Sequence, residues 1–543
     1  MKKNFKIFIL GLVFAIATFV RIWQVVQIPA GFNADEAALG YNAYSILKTG
    51  KDEFGNFLPV AFTSFGDYKP PLYVYVTVPF VALFGLEEFA VRFPSVVFGV
   101  LTVLLTYFIA KKISNNDYIA ILSGLFLAIS PWHIHYSRGG WETNLFTFLL
   151  TLGIYLFIKA SQKPVYLVFA AIVFGLSFYS YQAARLIMPI VVVFLFFFYI
   201  KKLIPLKKHL IISTFIGFLI LVPALITFVS GSGLSRFWGV SIFADSGPFW
   251  EVNQRRGDHQ DPGSITTQIL HNKIQAYSKV YLKNYFAHFD AEFLFIKGDT
   301  IARNRFIDHG TLLLVSLPFL LFGVYFLIKK EKNWPLVFLW LLASPTASAL
   351  TFQSPQALRS ALMVVPISII TAFGFYYFFN SLKSKKIRSI LLIITVLFFT
   401  YNFARFLHYY FVHNPKQIPI AFQPGFAELV PFITGVQDDY DKVIITDKYD
   451  QPYILFLFYQ KPDPANYHGI LQLTQRDKFG FSTVKNLDNL EFRTLNKEDF
   501  SSSDKLLYVG TPEEIDQVRS NVKVIKTIDY PNSKPAFEIV ENI

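Results

Sequence analysis

The chain is built around apolar runs long enough to cross a lipid bilayer, and these limit its possible folds before any single residue is considered. Residues 5–28 follow a basic Met1-Lys2-Lys3 and stay apolar for longer than the core of a signal peptide. No small-residue cleavage site follows, so they predict a retained first helix. Runs of helical length recur near 93–113, 118–135, 145–160, 164–181, 184–200, 209–229, 311–329, 335–352, 359–381 and 388–410, which makes about eleven spans. The shorter runs need tilt or local thinning of the bilayer. A content of 53% hydrophobic and 16% charged residues, with a mean hydropathy of +0.42, excludes an ordinary soluble fold. The chain reads as a polytopic α-helical membrane protein.

The net charge of +13 does not mark a nucleic-acid partner, because the lysines fall in short clusters between apolar runs. Lys2/Lys3/Lys6, Lys111/Lys112, Lys159/Lys163, Lys201/Lys202/Lys207/Lys208, Lys329/Lys330/Lys332 and Lys383/Lys385/Lys386/Arg388 occupy one set of loops. The alternate short loops hold Arg138, Arg185 and Arg359. By the positive-inside bias the lysine clusters face the cytoplasm, with the N-terminus inside a multi-pass plasma-membrane protein. This order requires that residues 70–86, in and just after YKPPLYVYVTVPFVALFG, do not cross. Pro70, Pro71 and Pro79 agree with a juxtamembrane or re-entrant segment on the outer face, its backbone covered by protein. With no cysteine, neither a disulfide nor a Cys-ligated metal enters the reading.

The outer side then receives a first loop 29–92, HYSRGGWETN at 135–144, the turn around 179–185, a long loop 230–308 and QSPQALR at 353–359. The long loop carries Arg236, Arg255, Arg256, Asp258, His259, Asp261 and Asp290, and a helical pattern near 264–288 that would cap a cavity. The transmembrane domain spans 1–411. From 412 to 543 the pattern changes to KVIITDKY, PYILFLFY, KLLYVG, PEEIDQVRS, VKVIKTIDY and AFEIVENI, which reads as a small extracytoplasmic α/β domain acting as a lid or interaction module.

Chemistry concentrates in the first loop. Asp35 and Glu36 follow the first apolar run closely enough to sit at the membrane surface, where a carboxylate stays ionised and can reach a lipid headgroup. Lys69 precedes Pro70-Pro71-Leu72 and supplies a cation, and Phe84-Gly85 and Arg92-Phe93-Pro94-Ser95 follow. Together with Arg21 late in the first helix, these anchors in this order and spacing resemble the polyprenyl-phosphate-sugar-dependent GT-C membrane glycosyltransferases. That group includes the protein O-mannosyltransferases and lipid A aminoarabinose transferases (glycosyltransferase family 39 type). The resemblance covers roughly the first fifth of the chain; beyond it only the topology matches.

The resemblance implies a sugar moved from a polyprenyl-phosphate donor to an envelope glycan, lipid or protein on the extracytoplasmic face. Such a transfer needs a group that takes the acceptor proton and a cation for the departing phosphate. It gives the first role to Asp35, with Glu36 as supporting acid or acceptor contact, and gives the lipid phosphate to Lys69. The plain alternative for Lys69 is a lysine snorkelling to headgroups. Arg359, beside Gln356, offers a second phosphate contact through its planar fork or anchors a helix end. Arg138 and Glu142 stand one helical turn apart and can pair in the cavity wall. Arg21 and Arg92 organise the first loop or line the cavity. His133-x-His135 invites a metal, but the Trp-rich surroundings suit a membrane interface better, so no metal and no cofactor beyond the donor lipid is expected. A transporter or flippase would show matched internal repeats, and none is found. An oligosaccharide ligase of the envelope is the other alternative.

Overall fold

The computed structural model describes residues 3–229, 239–477, 480–501 and 505–542. The chain forms two compact units. One comprises Met1–Ala17, Val100–Ile134 and Phe146–Phe406, the other Thr18–Gly99, His135–Leu145 and Leu407–Ile543.

Among the described residues six helices are long and apolar enough to cross a membrane: Lys3–Ile22 (α1), Glu88–Ser114 (its first part in one unit and the rest in the other), Glu142–Lys159, Ala184–Thr227, Ala361–Ser381 and Lys385–Gln417. The stretch Ala184–Thr227 has 44 residues. At 1.5 Å per residue it is about 66 Å long, twice a hydrocarbon core of about 30 Å. Its middle is a 3₁₀ turn at Ile204–Leu206, flanked by the last-turn Lys201 and Lys202 and by Lys207. This is where the sequence separates the runs 184–200 and 209–229.

The remaining apolar helices of the first unit are shorter: Asp117–Ala128, Val165–Ser177 and Trp334–Ala349. Two of the predicted runs are cut by proline, which removes a backbone donor and clashes with the preceding turn. The run 118–135 ends its helix at Ala128, before Pro131, and 335–352 breaks at Ser344-Pro345. Asn116 caps the Asp117 helix by accepting from the N–H groups of Tyr118 and Ile119. Elsewhere packing is close. A Cβ on Gly323 would lie 1.9 Å from the carbonyl oxygen of Ile370, and one on Gly374 1.8 Å from that of Phe319. Helices Leu317–Lys330 and Val364–Ser381 therefore touch backbone to backbone, the small-residue contact by which helices associate in lipid.

In the long loop the helical pattern at 264–288 is two helices, Ile265–Leu270 and Lys273–Ala287. Asn272 ends the pattern by capping the second one, its side chain accepting from Gln275 N–H. Gly247–Gly257 is a further helix, and Arg236 lies outside the described residues.

In the second unit the first loop folds as helix α2 (Ala34–Thr49), a hairpin of β1 (Phe62–Ser64) and β2 (Asp67–Lys69), and helix α3 (Leu72–Phe84), with Glu88–Ser114 following as α4. Helix α3 has 13 residues and Pro79 inside it. It rises only about 20 Å, short of a bilayer core.

The same unit holds a six-stranded sheet of order β4-β5-β3-β6-β8-β7. Its strands are β3 (Lys442–Ile445), β4 (Asn486–Leu487), β5 (Leu490–Phe492), β6 (Leu506–Gly510), β7 (Val522–Asp529) and β8 (Pro535–Asn542). β3 is parallel to β5 and β6, and the other pairs are antiparallel. PYILFLFY is the helix Pro452–Gln460, buried from Pro452 to Phe458. It packs against α2 where Gly40 leaves room: a Cβ there would lie 2.7 Å from the Phe458 ring.

Candidate active site

The site starts with the cap of α2. Asn33 is extended, and its side-chain oxygen accepts from the N–H of Glu36 at 3.1 Å, as N-cap residues do. Ala34 N–H donates to Gln423 Oε1 at 2.8 Å. Asp35 and Glu36 occupy the first turn, where the helix dipole favours negative charge. One helical step separates them, and their surroundings differ completely.

Glu36 is fully buried. Its Oε1 accepts from Arg92 Nε at 2.9 Å and from Gly140 N–H at 2.8 Å. Its Oε2 accepts from Arg92 Nη2 at 3.1 Å and Asn33 Nδ2 at 2.9 Å. Arg92, equally buried, spends its other donors on the carbonyls of Val25, Val26, Pro29 and Gly31. A buried charge pair repays its desolvation only when its remaining donors and acceptors are matched, and here they are. Gly31 is required at the end of this turn. Its φ is +103, and a Cβ would lie 2.2 Å from the carbonyl oxygen of Phe422.

Asp35 faces Lys69 instead, with Nζ to Oδ1 at 2.5 Å. The Asp35 side chain is 36% exposed and that of Lys69 10%. Lys69 ends β2, paired with Phe62, after a two-residue turn at Phe65-Gly66 with φ of +55 and +79. That turn is pinned by Ser482 N–H donating to Phe65 O at 2.9 Å. The Lys69 ammonium lies 5.0 Å from the centroid of the Phe65 ring, a cation–π contact. Pro70-Pro71 then begins α3, so the lysine is held by a short hairpin on one side and a proline pair on the other. An ammonium and a partly open carboxylate in contact can bind a phosphate and accept a proton within one small space.

A third carboxyl group escapes a reading by motif. Glu53 is 1% exposed, its N–H donates to Asn42 Oδ1 at 3.0 Å, and its Oε1 accepts from Asn42 Nδ2 at 3.3 Å. Burial pushes it up to about 8; the Asn42 hydrogen bond and the Lys69 ammonium oppose the shift, and Asp52 adds to it. The sequence shows it only as part of Lys-Asp-Glu-Phe-Gly, which looks like a solvated turn. Gln423 and the Gly140 N–H also went unpredicted.

Arg138 is fully buried, and it donates to the carbonyls of Val20, Trp23, Gln24 and Ile28 at 2.7–3.2 Å, not to Glu142. The expected Arg138–Glu142 pair is thus replaced by a clamp on the turn after α1, where free carbonyls offer the stronger demand for donors. Phe411 and Tyr410 stack on its guanidinium. Arg21 is buried where a Cβ on Gly99 would lie 3.3 Å from its Nε and 2.2 Å from Ser137 Oγ. His135 Nδ1 lies 3.2 Å from the Tyr410 hydroxyl, among Trp141 and Phe422. Arg359 belongs to the other unit, where its Nη1 donates to Thr351 Oγ1 at 2.7 Å. Its segment is held by Ala357 N–H on Asp299 Oδ2 at 2.6 Å and Trp132 Nε1 on Ala357 O at 2.9 Å.

These spanning helices and the acidic first loop define a multi-pass membrane protein with the fold of the GT-C glycosyltransferases. Residues 68–227 are similar to the dolichyl-phosphate-mannose-protein mannosyltransferase family. ArnT from Cupriavidus metallidurans, solved with undecaprenyl phosphate, is similar over 100% of this chain and 99% of its own, at 11% identity and a TM-score of 0.56. The oligosaccharyltransferase AglB from Archaeoglobus fulgidus, solved with an inhibitory peptide and a dolichol-phosphate, matches 84% of this chain and 64% of its own, at 13% identity and a TM-score of 0.52. Dolichyl-phosphooligosaccharide-protein glycotransferase 2 of Pyrococcus furiosus is 34% identical over 111 residues, 20% of this chain and 14% of that protein. The chain spans about a third or less of the length of the curated relatives it matches.

Proposed function

We propose that this protein transfers a sugar from a polyprenyl-phosphate donor to an acceptor on the extracytoplasmic face of the plasma membrane. The single observation that carries the reading is the Asp35–Lys69 contact at 2.5 Å, the partly open charge pair of the first loop, set beside the closed pair Glu36–Arg92. The fold likeness to proteins solved with undecaprenyl phosphate and with dolichol-phosphate supports the donor class.

In this reading Lys69 holds the donor phosphate. The acceptor hydroxyl attacks the anomeric carbon, the bond from that carbon to the phosphate oxygen breaks, and the hydroxyl proton passes to Asp35. The charge left on the phosphate is met by Lys69. Glu36 and Arg92 do not touch the reacting atoms; they hold the turn that aims Asp35. The acceptor is an envelope glycan, lipid or protein, and the transferred sugar is a hexose or pentose. The domain division at 411/412, the count of about eleven spans, the cytoplasmic N-terminus and the extracytoplasmic placement of 412–543 belong to the same proposal, on the strength of the lysine clusters and the short α3.

The test is release of polyprenyl phosphate from a polyprenyl-phosphate sugar by the purified protein. Acceptor-dependent release supports transfer. Donor that binds and stays intact with every class of acceptor removes the proposal in favour of a transporter.

A further inference from the structure

A lysine-lined cavity lies apart from the residues of the reaction proposed above. Within the first unit, the ends of α4, Glu142–Lys159 and Ala184–Leu203 enclose a cavity of about 370 Å³ with the start of Trp334–Ala343. Lys111, Lys112 and Lys202 line it, together with Gln162 and Asn333, while Phe157, Leu203 and Leu336 form an apolar floor. No aspartate or glutamate is among its lining residues.

The charges can be weighed. Lysines at helix C-termini ordinarily offset the negative end of the dipole, worth roughly half a charge per helix. Three such ends total about −1.5 against three full lysine charges. Asp117 is shared by Lys111 at 2.9 Å and Lys6 at 2.8 Å, so two ammonium charges meet one carboxylate. Lys112 and Lys202 have no carboxylate partner among the described residues. Lys202 rests over the Tyr199 ring at 5.1 Å, and the Tyr199 hydroxyl donates to Asn333 Oδ1 at 3.3 Å, which ties that wall together. The surplus is therefore positive, at the end of spanning helices, over a greasy floor.

We propose that this cavity binds the phosphate headgroup of an anionic membrane lipid, with Lys112 and Lys202 on the phosphate, Lys111 behind them, and the glycerol and first acyl carbons on Phe157, Leu203 and Leu336. Basic pockets between spanning helices are suited to such headgroups, each lysine contributing on the order of 1 kcal/mol. The apolar floor favours a lipid over a soluble phosphate, which would leave that surface uncovered.

The test is phosphatidylglycerol binding to the full chain in detergent, read by native mass spectrometry against phosphatidylcholine. Wild type should prefer phosphatidylglycerol, and the preference should fall about fivefold for Lys112→Ala and about thirtyfold for Lys112→Ala/Lys202→Ala. Lys112→Arg/Lys202→Arg should keep it. Lys207→Ala/Lys208→Ala, which removes the same charge outside the cavity, should leave it unchanged, and a thermal melt checks that each variant is folded. An equal loss in the Lys207/Lys208 variant would reduce the effect to general surface charge and overturn the proposal. So would an unaltered preference in the Lys112/Lys202 variant. Displacement of the lipid by inorganic phosphate at equal concentration would overturn the lipid assignment and make a soluble phosphate the ligand.

Discussion

Gly140 gives its backbone N–H to Glu36 Oε1 at 2.8 Å across 104 residues of sequence, and so joins the short 135–145 segment to the helix that carries Asp35. The acid next to the proposed base is thereby a fixed point of the fold, leaving its neighbour to meet ligands. Each functional expectation follows from that division.

Asp35→Asn keeps size and removes the base. Turnover should fall by about a hundred- to ten-thousand-fold, the usual worth of a positioned general base, while donor lipid still binds. Transfer and lipid binding measured side by side decide the matter. Near-normal transfer, or a loss explained wholly by lost binding, takes Asp35 out of the reaction. A phosphate acceptor, already ionised, would need no base.

Lys69→Ala removes a charge-assisted contact of about 1.5–3 kcal/mol, so donor affinity should drop about ten- to a hundredfold. Lys69→Arg should restore only part, because the guanidinium is planar and longer than the space between hairpin and prolines was shaped for. Equal donor titration curves for wild type and Lys69→Ala would return this lysine to the headgroup-anchoring role.

Arg92→Met leaves Glu36 as an unpaired buried charge and should cost about 3–5 kcal/mol of stability, visible as a large drop in melting temperature in detergent. Glu36→Gln combined with Arg92→Met should recover a good part, since no charge is then stranded. Folded Glu36→Gln should retain more turnover than Asp35→Asn. A melting temperature unmoved by Arg92→Met contradicts the clamp.

Glu53 carries the pH dependence. Its carboxyl is raised from an ordinary 4.5 to about 8 by burial, so between those values the folded chain holds a proton that the unfolded chain has released. Stability from this group is complete below about pH 4.5 and is lost as pH rises through about 8. Melts across that window should show a decline in wild type that is absent in Glu53→Gln. Identical profiles for the two proteins speak against a buried, protonated Glu53.

Much of this was legible in sequence because it rests on local rules. Apolar length marked the six helices long enough to cross a membrane among the described residues, and Lys69 before two prolines marked a cation held between a hairpin and a helix. What escaped depends on partners far along the chain. Nothing near Lys-Asp-Glu-Phe-Gly shows that Glu53 is buried against Asn42. Gly140 acts through a backbone N–H, which no residue type advertises. Arg138 spaced from Glu142 suggests an ion pair, and only the fold reveals the four carbonyls of Val20, Trp23, Gln24 and Ile28 competing for the same guanidinium. PYILFLFY has an apolar residue at nearly every position, so its periodicity cannot separate a strand from a buried helix.

The Ala34 N–H held by Gln423 Oε1 carries a consequence for how the protein is made. Asp35 leaves the ribosome well before Gln423, so the first turn of its helix stays one partner short until a glutamine 389 positions after Ala34 has been synthesised and has come back to it. The proposed site is thus laid down in one stretch of the chain and completed by a residue far along it. A nascent chain halted before Gln423 would display Asp35 and Lys69 on a scaffold still lacking this tie.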